Sequence, residues 1–174
     1  MGDLVIATIQ RSTADFFFAS ISDFSTNATL PQLSFEGATK KTRPNLEAGA
    51  LVYARVTLAN KHMDPELECV SSTTGKSDGL GPLVGGMLFD VSLNMARRLM
   101  LSKPVEQGKL AVLEELGKEG LAFETAVGRN GKVWVNSASI KATLAIGKAL
   151  QETDTKHLSL EAQQKLAKKL LAGI

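Results

Sequence analysis

The chain has few of the residues that support covalent cross-links, metal centres or aromatic binding platforms. Its single cysteine, Cys69, excludes an internal disulfide bond, fits a reducing compartment and is predicted to be buried rather than reactive. The two histidines, His62 and His157, lie far apart in polar segments without a partner at ligand spacing, so we predict no metal site. Aromatic residues make up only 5% of the chain, with one tryptophan and one tyrosine. A broad aromatic stacking surface is therefore hard to build, and no pattern predicts a cofactor.

Long apolar runs and a strong excess of one charge are also missing. No run approaches the roughly 18 residues that a membrane-spanning helix needs, and the start, Met1–Ile6, does not resemble a signal peptide. We therefore predict no membrane association. The chain enters a predicted strand almost at once, which suggests a piece of a longer protein. Because the formal net charge is only +2, binding to a polyanion would depend on local clusters of charge.

Recognisable catalytic motifs are absent. There is no Gly-x-Ser-x-Gly nucleophile elbow, and Gly75-Lys76-Ser77 lacks the upstream glycine of a phosphate-binding loop. The acidic residues are scattered, and Asp64 and Glu66 flank Pro65 in what is predicted to be an exposed turn. We predict no catalytic residues and no enzymatic activity.

Residues 3–72 have the pattern of an all-β domain. Short runs rich in β-branched and aromatic residues alternate with polar turns, without a helical period between them. Five antiparallel strands in so short a span predict a small closed barrel of the oligonucleotide-binding (OB) type. Phe16, Phe17 and Phe18 are consecutive, and two core rings with one surface ring is the simplest arrangement. The predicted strands are Leu4–Ile9, Asp15–Ile21, Ala28–Leu33, Ala50–Ala59 and Leu67–Ser72.

A basic loop lies between the third and fourth of these strands. Lys40, Lys41 and Arg43 fall between Gly37 and Pro44, so the segment is predicted to be exposed. Such a loop suits a phosphate backbone, because each cation can neutralise a phosphate and release counterions. A solvated turn that keeps the protein soluble fits the charges about equally well.

The pattern changes after a glycine-rich segment, residues 73–86, which holds five of the fifteen glycines and is predicted to be a linker. We therefore predict two domains, residues 1–75 and 76–174. The second has the order β-α-α-β-β-α with an additional terminal helix, which is the type I KH topology. Its predicted elements are Met87–Val91, Ser92–Leu101, Lys109–Leu116, Leu121–Val127, Lys132–Asn136, Ser137–Gln151 and Leu160–Ala172.

A hairpin is predicted inside the second domain. Asn130-Gly131 is the strongest short-range signal for a two-residue turn between strands. Such a turn would place Val127 opposite Trp134, with the Trp134 ring beside Phe123.

Two long segments, Phe35–Asn45 and Gly128–Val135, together resemble the cap subunits of the eukaryotic RNA exosome, with support from Gly49–Val56 and Ala59–Glu66. The resemblance covers nearly the whole chain. It implies an α+β protein with a five-stranded OB-type S1 barrel, a type I KH-like domain and an extra C-terminal helix. Family members also carry a small N-terminal β domain that these residues do not include.

The family implies a non-catalytic subunit that stabilises the exosome ring and guides single-stranded RNA to a nuclease for 3′–5′ processing and decay, including that of ribosomal RNA. Its partners would be RNase-PH-like ring subunits and other cap subunits, in the nucleus and nucleolus and also in the cytoplasm. The RNA-binding candidates are Lys40, Lys41, Arg43, Arg55 and Lys61. The alternative is a free-standing regulatory protein that binds single-stranded RNA.

One departure concerns the KH domain. A KH domain that grips RNA usually has a Gly-x-x-Gly loop between its first two helices, and Ser102–Gly108 contains a single glycine. The motif Gly128-Arg129-Asn130-Gly131, called the GxNG motif below, fits that spacing but lies in the predicted hairpin. We predict that it is structural, packed against the S1 domain or the linker; the alternative is direct contact with RNA.

Overall fold

The computed structural model describes residues 1–71, 73–101, 110–118 and 120–171. These residues form two compact units, Met1–Val84 and Gly85–Ile174. The division after Val84 lies inside the predicted linker of residues 73–86. None of the described helices is long and apolar enough to cross a membrane.

The first unit is a closed barrel, which confirms the predicted OB-type architecture. Strands pair in the order β1-β2-β3-β5-β4, and β4 pairs back to β1, so that five strands close the barrel. A sixth short strand, β6, pairs antiparallel with the first residues of β4. The strands are β1 Leu4–Ser12, β2 Phe16–Ser20, β3 Ala28–Pro31, β4 Leu51–Asn60, β5 Met63–Glu68 and β6 Gly81–Leu83.

Alternation along the strands fills the barrel. Val52, Ala54 and Val56 of β4 point inward, together with alternate residues of β1, because successive side chains of a strand face opposite sides. Cys69 is buried in the same core, as predicted. Burial raises the pKa of its thiol to about 12, so the group stays protonated near neutral pH.

The fifth strand begins earlier than predicted. It covers Met63–Glu68 instead of Leu67–Ser72, and Lys61-His62 forms the turn that joins it to β4. Asp64 and Pro65 therefore lie in a strand and not in an exposed turn. The pairing shifts register between Leu58 and Asn60, and such an irregularity accommodates a proline that cannot donate to a ladder.

Part of the predicted linker is also a strand. Leu51 pairs with Leu83, and Tyr53 pairs with Gly81, so β6 extends the barrel sheet. Leu80, just before β6, is buried in the barrel core. The sequence did not predict this strand, because glycine and proline are uncommon in strands.

The prediction for the three consecutive phenylalanines was wrong. Only Phe17 is in the core, at 1% exposure, and Phe16 and Phe18 lie on the opposite face of β2. Phe16 is 43% exposed, and the Arg11 guanidinium lies 4.0 Å from the centre of the Phe18 ring. The outer face of β2 therefore carries two aromatic rings.

The second unit has the predicted KH order and the extra terminal helix. Its three strands pair antiparallel in the order β7-β9-β8, and apolar residues of the sheet and helices form one core. The α3 helix passes close to β7, because Gly147 leaves room for the Phe89 ring. The elements are β7 Met87–Asp90, α1 Leu93–Leu99, α2 Val112–Lys118, β8 Phe123–Val127, β9 Lys132–Ser137, α3 Ile140–Lys156 and α4 Leu160–Leu171.

The β8–β9 hairpin exists, but its register differs from the prediction. Val127 pairs with Val133, and Ala126 pairs with Trp134, so the turn has three residues and ends on Gly131 at φ +77°. A glycine with positive φ at the end of a three-residue turn is a common hairpin geometry. Trp134 consequently faces away from Phe123, and its Nε1 donates to the carbonyl oxygen of Gly85 at 2.8 Å.

Candidate RNA-binding surface

The basic loop between β3 and β4 begins at Phe35, whose ring is buried in the barrel core. Phe35 is 8% exposed, and its ring meets the ring of Phe17 edge-on, with centroids 6.2 Å apart and planes at 86°. Its backbone pairs with Cys69 in an isolated bridge. The loop therefore leaves the barrel from a fixed point in the core.

Two threonines shape the tip of the loop. The Thr42 amide donates to the carbonyl oxygen of Thr39 at 3.1 Å, the two hydroxyl oxygens lie 2.7 Å apart, and the Thr42 hydroxyl donates to the carbonyl oxygen of Gly37 at 3.1 Å. Lys40 and Lys41 are the two central residues of this turn, and both are exposed. Turn hydrogen bonds thus present both ammonium groups outward, a geometry that suits a phosphate backbone.

Two further contacts tie the loop to the rest of the barrel. Arg43 donates from Nη1 to the carbonyl oxygen of Ala14 in the β1–β2 turn. Glu36 accepts at Oε2 from the amide of Ser77 at 2.8 Å. That hydrogen bond holds the pKa of the Glu36 carboxyl below its usual value, with a smaller contribution from the charge of Lys76. Both ends of the basic segment are therefore held in place.

The loop and the outer face of β2 enclose a groove of about 410 Å³. Its lining residues include Lys40 and Arg43 together with the exposed Phe16 and Leu33. Cations beside an exposed ring match the two requirements of single-strand binding, which are backbone charge and a surface for base stacking.

The five predicted RNA-binding residues lie in three places. Lys40, Lys41 and Arg43 share the loop. Arg55 lies on the barrel wall, where it forms an ion pair with Glu68 at 3.3 Å. Lys61 is exposed in the β4–β5 turn and lines a different groove. Two of the loop cations, Lys40 and Arg43, are thus the ones that the structure brings beside Phe16, one of the three consecutive phenylalanines of which the sequence predicted one surface ring.

The GxNG motif is built into the second unit. The Val91 amide donates to the carbonyl oxygen of Gly131 at 2.9 Å. A Cβ atom on Gly131 would lie 2.7 Å from the carbonyl oxygen of Val91. Gly128 and Gly131 are buried, and Arg129 is exposed. The turn therefore packs on the β7–α1 connection, whereas the prediction named the S1 domain or the linker.

The described residues contain no group of three or more histidine, cysteine, aspartate or glutamate side chains that could hold a metal ion. The segment Ser102–Gly108, which was predicted to lack the RNA clamp of KH domains, lies outside the described residues. The absence of that clamp stays a prediction.

Family models match both units. The S1 domain of exosome complex component RRP40 matches residues 1–81, and a KH domain matches residues 86–141. This chain thus carries the S1 domain of the RRP40 family followed by a KH domain. The predicted resemblance to exosome cap subunits of the S1/KH type, and in particular to ribosomal RNA-processing protein 40, is confirmed.

Relatives of the RRP40 family match over most of this chain. The exosome complex component RRP40 of Saccharomyces cerevisiae is 40% identical over 152 residues, which are 87% of this chain and 61% of the relative. The protein of Schizosaccharomyces pombe is 45% identical over 83% of this chain and 57% of its own length. The human protein is 33% identical over 97% and 58%. The chain thus spans about three fifths of the length of these relatives.

A crystal structure of a protein assigned as an exosome complex RNA-binding protein has the same fold. Its TM-score is 0.71 at 21% identity, and the match covers 98% of this chain and 93% of that one. At this identity the likeness shows the shared architecture alone.

Proposed function

We propose that this chain is a non-catalytic RNA-binding cap subunit of the RNA exosome. It stabilises the ring of RNase-PH-like subunits, contacts other cap subunits and guides single-stranded RNA toward a nuclease in 3′–5′ processing and decay, including that of ribosomal RNA. The observation that carries the proposal is an RRP40-type S1 barrel with a hydrogen-bonded basic loop that places Lys40 and Arg43 beside the exposed Phe16.

The groove favours RNA contact that tolerates many sequences. Lys40 and Arg43 would contact phosphate groups, and contacts to phosphate do not distinguish one base from another. The Phe16 ring offers a face on which any base can stack. The two lysines and the ring supply few contacts, so the affinity of this chain alone for RNA is weak.

The relatives favour a subunit over a free-standing regulator, because each is named as a component of the exosome complex. The described residues also present no metal cluster and no reactive thiol that would support an active site.

We assign the protein to the nucleus and nucleolus, with a further pool in the cytoplasm, as expected from a role in ribosomal RNA processing.

Binding of fluorescent single-stranded RNA to this chain, measured by anisotropy against salt concentration, tests the RNA-guiding role. Each phosphate contact contributes about −0.7 to the slope of log K against log salt. The double variant K40Q/K41Q should therefore have a slope shallower by up to about 1.4.

The matched control is K165Q/K168Q, which removes the same charge from exposed positions of α4. It should keep the slope of the unmodified chain. A slope that is flat in the unmodified chain, or a marked preference for one RNA sequence, contradicts the proposal.

A further inference from the structure

The second unit has an apolar groove of about 530 Å³ between α3 and α4. Leu144 of α3, Leu170 of α4 and Phe89 of β7 line its floor. Leu144 is 46% exposed, and Ile140, one turn before it, is 75% exposed. Solvent-facing leucine and isoleucine at this spacing continue the apolar surface along α3 beyond the groove.

Three lysines surround this floor. Lys141 and Lys148 lie on α3, and Lys169 lies on α4. None of the described lining residues is acidic. In the described part of the chain, the three ammonium groups form no ion pair with another residue. Their positive charge is therefore available to a ligand.

The apolar floor and the basic rim together favour a protein ligand over RNA. The Phe89 ring packs against Gly147 and is not free to stack on a base. The other apolar lining residues, Leu144, Ala145 and Leu170, are aliphatic and gain more from burying apolar side chains than from contact with sugar and phosphate. A volume of this size, within the range of about 300–1,000 Å³ that is typical of compact binding sites, holds a few side chains at a time.

We propose that this groove docks an acidic, amphipathic helix of a protein partner. Apolar side chains at helical spacing would fill the floor, and flanking aspartate or glutamate residues would pair with Lys141, Lys148 and Lys169. A helix laid in a groove between two helices is a recurrent recognition mode. The proposal concerns a different unit from the basic loop and does not rest on the RNA-guiding role.

Selection of short random peptides displayed on phage, with the full chain immobilised, tests the proposal without a known partner. Enriched peptides should carry apolar residues at i, i+3 or i+4, and i+7, together with a net negative charge. Synthetic copies should bind L144D and K148E about tenfold more weakly than the unmodified chain, the loss expected from one central contact. They should bind K165E with unchanged affinity, because Lys165 is exposed on α4 outside the groove.

Four results overturn the proposal. The first is the absence of enriched peptides, the second is enrichment of basic peptides, and the third is peptide binding that L144D leaves intact. The fourth is binding of single-stranded oligouridine that K148E weakens more than K40Q/K41Q does, because the groove would then be an RNA site. Leu144 and Lys148 are both solvent-exposed. Thermal melting of L144D and of K148E confirms that each variant folds.

Discussion

At the scale of single residues, Gly131 illustrates how one position fixes a turn. Its φ of +77° lies in the left-handed region, and a Cβ atom there would meet the backbone oxygen of Val91 at 2.7 Å. Both the backbone conformation and the close approach require glycine. Because the neighbouring atom is backbone, a side-chain rearrangement cannot relieve the contact.

We expect Gly131→Ala to lower the free energy of unfolding by about 1–3 kcal/mol, through left-handed strain and overpacking. Affinity for single-stranded RNA should change little, because the turn packs on the β7–α1 connection. Chemical denaturation and RNA anisotropy on the same preparation measure both quantities.

The control for this exchange is Gly117→Ala. Gly117 lies in α2, and a Cβ atom there would meet nothing within 4 Å. Alanine should therefore be neutral or stabilise by up to about 1 kcal/mol, as helix propensity predicts. If Gly131→Ala weakened the free energy of RNA binding by more than it lowered the free energy of unfolding, the motif would be an RNA contact. The structural role would then be wrong.

At the scale of elements, the basic loop depends on contacts at both of its ends. The carboxylate of Glu36 accepts from the Ser77 amide and so joins the loop to the segment before β6. The pKa of Glu36 is lowered in the folded chain. Its carboxylate therefore contributes stability above the unfolded-state pKa of about 4.3, and loses that contribution as pH falls through the lower folded-state value.

Glu36→Gln should consequently reduce the melting temperature at pH 6, and the difference from the unmodified chain should shrink below pH 4. Thermal melts by circular dichroism across this range measure it. Glu47→Gln is the control, since no described residue forms a hydrogen bond with that side chain. A difference between the unmodified chain and the Glu36 variant that stays constant from pH 6 to pH 3 would mean that the hydrogen bond does not stabilise the loop.

The elements also indicate which features a sequence can predict. Helical and alternating periods predicted both domains, because these patterns depend on local burial. The fifth strand was misplaced because Pro65 normally marks a turn, whereas in the structure it lies in β5 where the pairing with β4 shifts register on both sides of Leu58. The hairpin register was wrong because Asn130-Gly131 suits two turn lengths, and packing of Gly131 on Val91 selects the longer one.

The candidate site was predictable to a similar extent. The cluster of Lys40, Lys41 and Arg43 is visible in the sequence because the residues are adjacent. Its association with Phe16 depends on how β2 and the β3–β4 loop meet in the folded barrel, which composition and spacing do not reveal. Arg55 was a reasonable candidate by charge, yet its carboxylate partner Glu68 comes from the neighbouring strand.

At the scale of the whole molecule, the two units have different surfaces. The barrel carries a pinned basic turn beside an exposed aromatic ring, and the KH unit carries a lysine-rimmed apolar groove. With a formal net charge of only +2, each surface depends on local placement of cations. This division suits a subunit that holds RNA with one unit and a protein partner with the other.

The most direct measurement of the central claim is RNA capture by an exosome assembled with this chain as its cap subunit. The K40Q/K41Q variant should assemble normally and should capture single-stranded RNA roughly tenfold more weakly near 0.1 M salt, as the loss of two phosphate contacts predicts. The assembly with K165Q/K168Q should capture RNA as the unmodified assembly does. Unchanged capture by an assembled complex that carries K40Q/K41Q would contradict the account.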